Sequence, residues 1–387
     1  MTKLKQTILL ILIGSVITVG CTDDEKGIYI DTPALDAMFS GTIDVYNLED
    51  YTNQIIPAYI TKDNTSNNPI TNEGATLGRV LFYDKNLSVD GTISCSSCHQ
   101  QQNAFADPSQ LSLGVNGETG RHAMRLVNVR FADETKFFWD ERAISLEQQT
   151  TQPIQNHAEM GFSGQDGNPD IEDLVSKLAA LEYYQELFTI VYGDSEITEL
   201  RIQLALAQFI RSIQSFDSKF DLGRAMVANQ NQDFPNYTVE ENLGKRLFLD
   251  PPPLGGAGCG GCHRAPEFDI DPNTQNNGVI SVAILPDEID LNNTRAPSLR
   301  DLFNVEGELN GVLMHNGQFN TLEEVIEHYN SIEVDPLNPQ LDMRLRAGGN
   351  GQQLRLSPED QNAIVAFVKT LSGNNIYTDK KWSGPFQ

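Results

Sequence analysis

Basic residues, cysteines and long apolar runs are all scarce in this sequence, and each shortage argues against a class of protein. The 387 residues include 27 lysines and arginines against 53 aspartates and glutamates, which gives a formal charge of −26. This acidity argues against binding to nucleic acid or to an anionic membrane surface, so we expect no nucleic-acid partner. The apolar segment Ile8 to Val19 is shorter than the roughly 20 residues that a helix needs to span a bilayer.

Four of the five cysteines belong to two copies of one pattern, Cys95-Ser-Ser-Cys98-His99 and Cys259-Gly-Gly-Cys262-His263. CxxCH is the attachment site of a c-type haem, in which both thiols bond to the porphyrin and the histidine supplies an axial nitrogen. A zinc knuckle or a thioredoxin-like redox pair would not explain why a histidine follows the second cysteine in both copies. The sequence therefore predicts two covalently bound haems and leaves no pair of thiols for a structural disulfide.

The fifth cysteine, Cys21, follows a short export signal. Lys3 and Lys5 form a basic start, Ile8 to Val19 is apolar, and Gly20 precedes the cysteine. This order resembles a bacterial lipoprotein signal, which would make Cys21 the lipidated first residue of the mature protein; an ordinary cleaved secretory signal is the alternative. Both place the protein in the cell envelope on the periplasmic side, and the first limits its membrane contact to a lipid anchor.

The remaining chain has the spacing of helices. Apolar residues recur every three or four positions in Ile171 to Tyr192, in Ile197 to Phe216 and in Pro358 to Leu371. This period is typical of amphipathic helices, and no sustained strand-type alternation is seen. The sequence predicts a mostly α-helical protein.

An internal repeat surrounds the two haem motifs. Its three pairs of segments are Leu77 to Asp84 with Leu243 to Asp250, Thr119 to Leu126 with Asn293 to Leu299, and Trp139 to Glu147 with His315 to Glu323. Self-similarity of this kind indicates diverged copies of one structural unit. We therefore expect two cytochrome-c-like haem domains related by internal duplication.

The repeat, the haem motifs and the segments beside them resemble the bacterial di-haem cytochrome c peroxidase family, which includes the MauG-type enzymes that oxidise residues of another protein. The likeness runs from about Ile56 to Leu371. It depends on LGRVLFYD before the first haem motif, on FFWDERAISLEQQ and PIQNHAEMG after it, and on MHNGQFNTLEEVIEHYN after the second. The resemblance implies that the haem of His99 reacts with peroxide and that the haem of His263 relays electrons.

The expected organisation follows from the signal, the repeat and this resemblance. Residues 1–20 form a lipoprotein-type signal peptide, and residues 21–70 form a polar tether and an N-terminal arm. Residues 71–235 form the N-terminal peroxidatic haem domain, and residues 236–387 form the C-terminal electron-transfer haem domain.

The resemblance also implies roles for three side chains. Peroxide cleavage needs a group that takes a proton from the peroxide and delivers it to the leaving oxygen. Glu159 matches the family's acid–base glutamate, and Gln149 matches a polar residue of the same pocket. Trp139 matches a tryptophan between the haems that packs both domains and assists electron passage. The alternatives are a solvated carboxylate at a helix end for Glu159 and a merely buried side chain for Trp139.

The axial ligand of the second haem is a departure from the peroxidases. Where they have a methionine, this chain has Tyr329, with His328 beside it, and a tyrosine there is the MauG-type arrangement. An anionic oxygen ligand would stabilise the ferric state, whereas methionine raises the reduction potential. His328 and Met314 are alternative ligands, and Tyr329 and His328 could instead only pack a helix.

His122 is a second departure. Many of the peroxidases have a histidine that caps the resting peroxidatic haem, but no histidine lies between Gln101 and Arg121. Either His122 caps the iron from a later position, or the haem rests five-coordinate and needs no prior reduction. His122 also takes the place of the asparagine with which the family binds a calcium ion between its domains. Because calcium prefers oxygen donors, the remaining ligands would be mainly backbone carbonyls near Asn310 and Val312.

The implied activity is the reduction of hydrogen peroxide to water by a di-haem cytochrome c peroxidase, with electrons from a small redox protein such as a monohaem cytochrome c. The alternative is a MauG-like di-haem oxidase that acts on a protein or organic substrate through a high-valent di-haem state, and Tyr329 favours it. A non-catalytic di-haem electron carrier is a third interpretation, against which the intact pocket of Glu159 argues. The family includes homodimers, so a homodimer is also among the implied states.

Overall fold

A computed structural model of the protein describes residues 31–386. The predicted signal peptide and Cys21 lie outside the described residues, so lipidation stays a prediction. Within the described part of the chain, no helix combines the length and the apolar character that crossing a membrane requires.

The described residues contain eleven α-helices and four short antiparallel hairpins. The helices are α1 Pro33–Phe39, α2 Asn72–Tyr83, α3 Cys95–Cys98, α4 Leu146–Gln155, α5 Ile171–Ala179, α6 Glu182–Tyr192, α7 Glu199–Ser212, α8 Lys219–Ala225, α9 Val239–Leu249, α10 Leu322–Asn330 and α11 Pro358–Lys369. The paired strands are β1 Leu113–Gly114 with β2 Gly117–Glu118, β3 His263–Arg264 with β4 Asp269–Ile270, β5 Ser281–Val282 with β6 Leu285–Ile289, and β7 Arg346–Ala347 with β8 Asn350–Gly351. The predicted mostly helical fold is confirmed.

Two helix pairs organise the core, and both depend on a glycine of the repeated Leu-Gly dipeptide. Helix α2 packs on α7, and α9 packs on α11. A Cβ added to Gly78 in α2 would lie 2.0 Å from the carbonyl oxygen of Ala205, and one added to Gly244 in α9 would lie 1.7 Å from that of Ala363. No side chain fits such gaps, so the glycines let the paired helices approach closely.

The buried apolar side chains form two large clusters. One extends from Leu35 to Ile213, and the other from Phe220 to Leu371. Ile376 and Trp382, near the C-terminus, pack with the first cluster rather than the second. The chain therefore returns to its N-terminal core after completing the second one, and the domain boundaries at residues 70 and 235 stay predictions.

The repeated segments take matching local conformations. Phe137 pairs with Ala143 as Leu313 pairs with Phe319, and each short loop includes a residue with φ of 71°, Phe138 in one and Met314 in the other. The helix after each loop begins at a hydroxyl cap: Ser145 accepts from the Gln148 amide and Thr321 from the Glu324 amide. In both copies, the loop is therefore followed by a helix that begins at a hydroxyl cap.

Candidate functional site

A cavity of about 590 Å³ contains the first CxxCH motif on its wall. Cys95, Cys98 and His99 line it together with Gln149 and Glu159. Its volume is within the roughly 300–1,000 Å³ of cofactor and ligand pockets. Residues far apart in sequence therefore face one enclosed space.

His99 is held in a form that can bind a metal. The single turn of α3 ends when the His99 amide donates to the Cys95 carbonyl at 3.0 Å. The ring Nδ1 lies 3.3 Å from the carbonyl oxygen of Phe105, which fits a proton on Nδ1 and leaves the lone pair on Nε2. Burial lowers the pKa of His99 to about 4, so the ring is neutral at physiological pH.

The second motif lines a cavity of about 510 Å³. Cys259, Cys262 and His263 all face it. Burial lowers the pKa of His263 to about 4, and the nearby carbonyl of Pro297 offsets only part of this shift. Among the described residues, the buried Nδ1 of His263 has no partner with hydrogen-bond geometry.

The residues of both cavities fit a covalently attached c-type haem. The four cysteines are free thiols rather than disulfides. Burial raises the pKa of Cys95 and of Cys259 to about 12, so neither is a thiolate. No group of three or more histidine, cysteine or acidic side chains in the described residues could hold a metal ion without a cofactor. A thiol pair and a neutral histidine beside a large cavity are what haem attachment requires.

Glu159 faces the first cavity from the turn that follows α4. The side-chain oxygen of Asn156 accepts from the amides of Ala158 at 2.9 Å and Glu159 at 3.2 Å. The carbonyl of Glu159 accepts from the Val115 amide at 2.8 Å, which joins this turn to the β1–β2 hairpin. Burial raises the pKa of Glu159 to about 7, and Arg142 offsets only part of the rise. The carboxyl can therefore gain and lose a proton near neutral pH.

Gln149 reaches the same cavity from α4. It lies four residues before Pro153, which also lines the cavity, so the two share one face of the helix. The amide of the Gln149 side chain makes no hydrogen bond with any described residue, which leaves its donors and acceptor for a bound molecule.

Trp139 stands in the wall between the two cavities and lines both. Its indole nitrogen donates to the carbonyl of His122 at 2.7 Å. Its own carbonyl accepts from the amides of Thr294 at 2.9 Å and Arg295 at 3.0 Å. Its ring centroid lies 6.1 Å from that of His315. Trp139 is thus bonded to segments from both halves of the repeat.

The three candidate axial ligands of the second haem are placed differently. Tyr329 and Met314 both line the second cavity, whereas His328 does not. The side-chain nitrogen of Asn277 lies 3.0 Å from the Tyr329 hydroxyl and 3.2 Å from the Met314 sulfur. His328 Nε2 lies 3.0 Å from the carbonyl of Asn277. Burial raises the pKa of Tyr329 well above its usual value, so the phenol is neutral here.

His122 is buried where the two cavities adjoin. Its Nδ1 lies 3.0 Å from the carbonyl oxygen of Ser109 and 3.2 Å from that of Gln110, so Nδ1 is the donor and Nε2 keeps a lone pair. Burial lowers the pKa of His122, so the ring is neutral.

The predicted calcium neighbours lie close to His122. A Cβ built on Gly311, between Asn310 and Val312, would be 3.7 Å from His122 Nε2. The amide nitrogen of the Asn310 side chain donates to the carbonyl of Asp301 at 2.8 Å, and Val312 lines the second cavity. The fold therefore brings together the segments to which the sequence assigned a calcium ion.

The motifs give no role to three other residues of these walls. Pro153 lines the first cavity, His315 the second, and Arg125 both. His315 is buried with an unpartnered Nε2 among the described residues, and burial lowers its pKa to about 4. Pro153 could have been suspected from its place inside a helix, where proline is costly, and Arg125 from its charge in an apolar stretch.

Comparison with known proteins places this site in a family context. A family model described as di-haem cytochrome c peroxidase matches residues 72–229. The chain is 33% identical over 317 residues to the methylamine utilization protein MauG of Methylophilus methylotrophus, covering 80% of this chain and 85% of that protein. It is 30% identical over 313 residues to the cytochrome c551 peroxidase of Nitrosomonas europaea, covering 78% and 80%. A crystal structure of a MauG-like protein associated with microbial copper homeostasis matches with a TM-score of 0.67 at 27% identity, covering 86% of this chain and 99% of that one.

Proposed function

Since the chain belongs to the di-haem cytochrome c peroxidase family, we propose that it is an oxidoreductase that reduces hydrogen peroxide to water at the first cavity. Two electrons and two protons convert one peroxide molecule into two waters. The electrons come from a small redox protein, such as a monohaem cytochrome c, and enter at the second cavity. Each cavity holds one haem, attached through Cys95 and Cys98 in the first and through Cys259 and Cys262 in the second.

One observation supports this proposal above the others: Glu159 shares the first cavity with His99 and has a pKa of about 7. A general base works best when its pKa lies near the operating pH, because it must both accept and release a proton. In its ionised form, the Glu159 carboxylate takes a proton from the peroxide oxygen nearer to the haem. The same group then gives that proton to the distal oxygen, which leaves as water.

The haem, when bound, supplies the redox chemistry that reduces the peroxide bond. The chain supplies the rest. His99 would bind the cofactor, and the Gln149 amide, which makes no hydrogen bond with any described residue, would orient the peroxide in the same cavity. Trp139 lies on the path for electrons, since it lines both cavities and is bonded to segments of both halves.

The test is peroxide-dependent oxidation of a reduced small cytochrome c by the purified diferric holoprotein, with and without prior one-electron reduction. Rapid turnover in either state supports the peroxidase. A requirement for reduction would indicate that His122 caps the resting haem, and turnover without it would indicate an open iron. If no reaction with peroxide occurs in either state, the proposal is wrong and the electron-carrier alternative takes its place.

A second function is favoured by one feature, the presence of Tyr329 in the second cavity. A phenolate oxygen on the second haem would disfavour its reduction by a donor cytochrome and suit oxidation of a protein or organic substrate. The same assay distinguishes the two functions. A long-lived spectral change with peroxide, without oxidation of the cytochrome, would favour the MauG-like oxidase.

Several finer features belong to the same proposal. The protein is anchored on the periplasmic side of the envelope through lipid on Cys21. One calcium ion binds between two duplicated domains, residues 71–235 and 236–387, at carbonyls near Asn310 and Val312, and the protein forms a homodimer. Mass spectrometry of the mature N-terminus, metal analysis after dialysis and light scattering of the holoprotein test the anchor, the calcium and the dimer separately.

A further inference from the structure

The wall between the two cavities contains a half-buried guanidinium that forms no ion pair with any described residue. Segments 122–125 and 295–298, together with Trp139, line both cavities. Two arginines belong to these segments, Arg125 and Arg295. Their charges therefore lie between the two cofactor sites.

Arg125 has almost no partners in the protein. Its Nη1 donates to the carbonyl of Ser298 at 3.1 Å, and its buried Nε is unpartnered among the described residues. It forms no ion pair and no stacking contact within the described chain, and Asp301 acts on it only from beyond ion-pair distance. Arg295 differs, since it donates to the Lys136 carbonyl and stacks on the ring of Phe137 at 5.0 Å.

A guanidinium with one hydrogen bond is an unusual buried group. It carries five N–H donors in a planar fork that matches a carboxylate. A buried charge without a counter-ion strongly destabilises a protein, so such charges are normally paired. No carboxylate of the described residues lies within ion-pair distance of Arg125, since Asp301 acts on it only from farther away. The cavities that Arg125 lines are therefore where a closer anion would bind. Each c-type haem carries two propionates.

We propose that Arg125 binds haem propionates from both cavities and is the shared anion anchor of the two cofactors. This inference rests on the proposed binding of two haems. The repeat does not explain Arg125, because the residue before the matching leucine is Arg125 in the first copy and Ser298 in the second. The guanidinium of Arg125 thus serves both sites, and it donates to the backbone carbonyl of Ser298, the residue at the matching position of the other copy. Its positive charge stabilises the reduced form of both haems.

The experiment is a spectroelectrochemical titration of the holoprotein and of Arg125→Gln, with haem content measured in each. Thioether attachment should keep both haems in the variant. At the wild-type midpoint potentials, we expect the ratio of reduced to oxidised haem to fall about tenfold at both sites, which for a one-electron couple is about 59 mV. We also expect steeper pH dependence of both potentials, because propionates without Arg125 take up protons on reduction.

Arg224→Gln is the matched control. Arg224 also has one bond to a carbonyl, that of Val227 at 2.9 Å, and a buried Nε without a partner among the described residues. It lies against the ring of Tyr59 at 4.9 Å and lines neither haem cavity. Its substitution should leave both potentials unchanged.

The outcomes separate the two proposals. Wild-type protein without covalent haem would overturn the proposed function itself. Two haems in the wild type with unchanged potentials in Arg125→Gln, or a shift at one haem alone, would overturn only the shared anchor. If Arg125→Gln does not fold, Arg125→Lys keeps the charge but loses the fork. In Arg125→Lys, the ratio of reduced to oxidised haem at the wild-type midpoint potentials should change by less than twofold at both sites. The propionate bending bands of both haems should nevertheless shift in resonance Raman spectra, and unshifted bands would overturn the inference.

Discussion

Helices α4 and α10 follow the two copies of one repeated loop but present different chemistry to their cavities. Each begins at a hydroxyl cap, Ser145 or Thr321, and lines its cavity with the first, fourth, fifth and eighth residues after the cap. In α4 these residues are Leu146, Gln149, Thr150 and Pro153; in α10 they are Leu322, Val325, Ile326 and Tyr329. One scaffold therefore forms two different walls.

The difference at the eighth position decides what each wall can do. Pro153 lines the first cavity but has no group that can bind iron. Tyr329 carries a phenol oxygen to the matching place in the second cavity, next to Asn277. Under the proposed function, the reactive site and the relay site differ by a few side chains on one helix face, not by a different fold.

The turns after the two helices differ as well. Glu159 and Asp335 lie at the same distance from their caps, since both are fourteen residues beyond it (159 − 145 and 335 − 321). Glu159 faces the first cavity and has a pKa of about 7, whereas Asp335 is exposed and its side chain accepts from the Leu337 amide. The two carboxyl groups therefore differ in their surroundings, since one lines a cavity and the other is exposed.

The largest expected effect is that of Glu159→Gln. The amide keeps the size of the side chain but cannot take the proton, so peroxide turnover should fall about 10²-fold or more while both haems stay attached. Stopped-flow absorbance with peroxide measures the rate. Asp335→Asn is the control at the matching position and should leave the rate unchanged; a near-normal rate in Glu159→Gln would remove Glu159 from the mechanism.

A second change tests whether the hairpin β1–β2 positions Glu159. A Cβ on Gly114 would lie 2.0 Å from the Ala158 carbonyl and 2.8 Å from the Glu159 Cα. Since misplacing a catalytic group by about 1 Å can lower a rate 10²-fold, we expect Gly114→Ala to lower turnover about tenfold with little change in the KM for peroxide. Gly120 also lines the first cavity, but an added Cβ there meets no protein atom within 4 Å, so Gly120→Ala is the control for a methyl group added to this wall without displacing Glu159. Equal rates in both variants would contradict a positioning role.

The pH dependence of turnover should be of similar size. With its pKa raised to about 7, Glu159 is mostly protonated below neutral pH and cannot act as a base. Turnover should therefore rise with pH and level off above about pH 7, with about a tenth of the plateau rate at pH 6. The pH profile of turnover in Glu159→Gln should be flat over this range. A wild-type profile that is also flat would mean that another group takes the proton.

The smallest effect on turnover, and the clearest spectroscopic one, is expected for Tyr329→Phe. If the phenol oxygen binds the second iron, its removal changes the low-spin absorption and electron paramagnetic resonance signals of that haem and leaves those of the first. His328→Gln is the control, because His328 bonds to the Asn277 carbonyl and does not line the cavity. An unchanged low-spin signal in Tyr329→Phe would leave Met314, the other cavity-lining candidate, as the ligand to test next.

Much of the candidate site could be predicted from short motifs. The CxxCH pairs specify covalent attachment because a single turn of chain, as in α3, brings together two thiols for the porphyrin edge and a histidine for the iron. The mostly helical fold followed from the apolar spacing of segments such as Ile171 to Tyr192, which contains α5 and α6. The haem motifs and the helices depend on residues that are close in sequence, so they can be predicted from short segments of the chain.

What the sequence alone determined is thus the chemistry each segment carries: the haem motifs, the capped helices and the carboxyl and phenol groups that follow them. The tertiary structure decided which of these groups act together. The raised pKa of Glu159, the contact of Trp139 with both cavities and the lack of an ion pair between Arg125 and any described residue all arise where segments far apart in sequence meet. Burial and electrostatic environment are properties of the packed molecule, because they depend on atoms that only folding brings near.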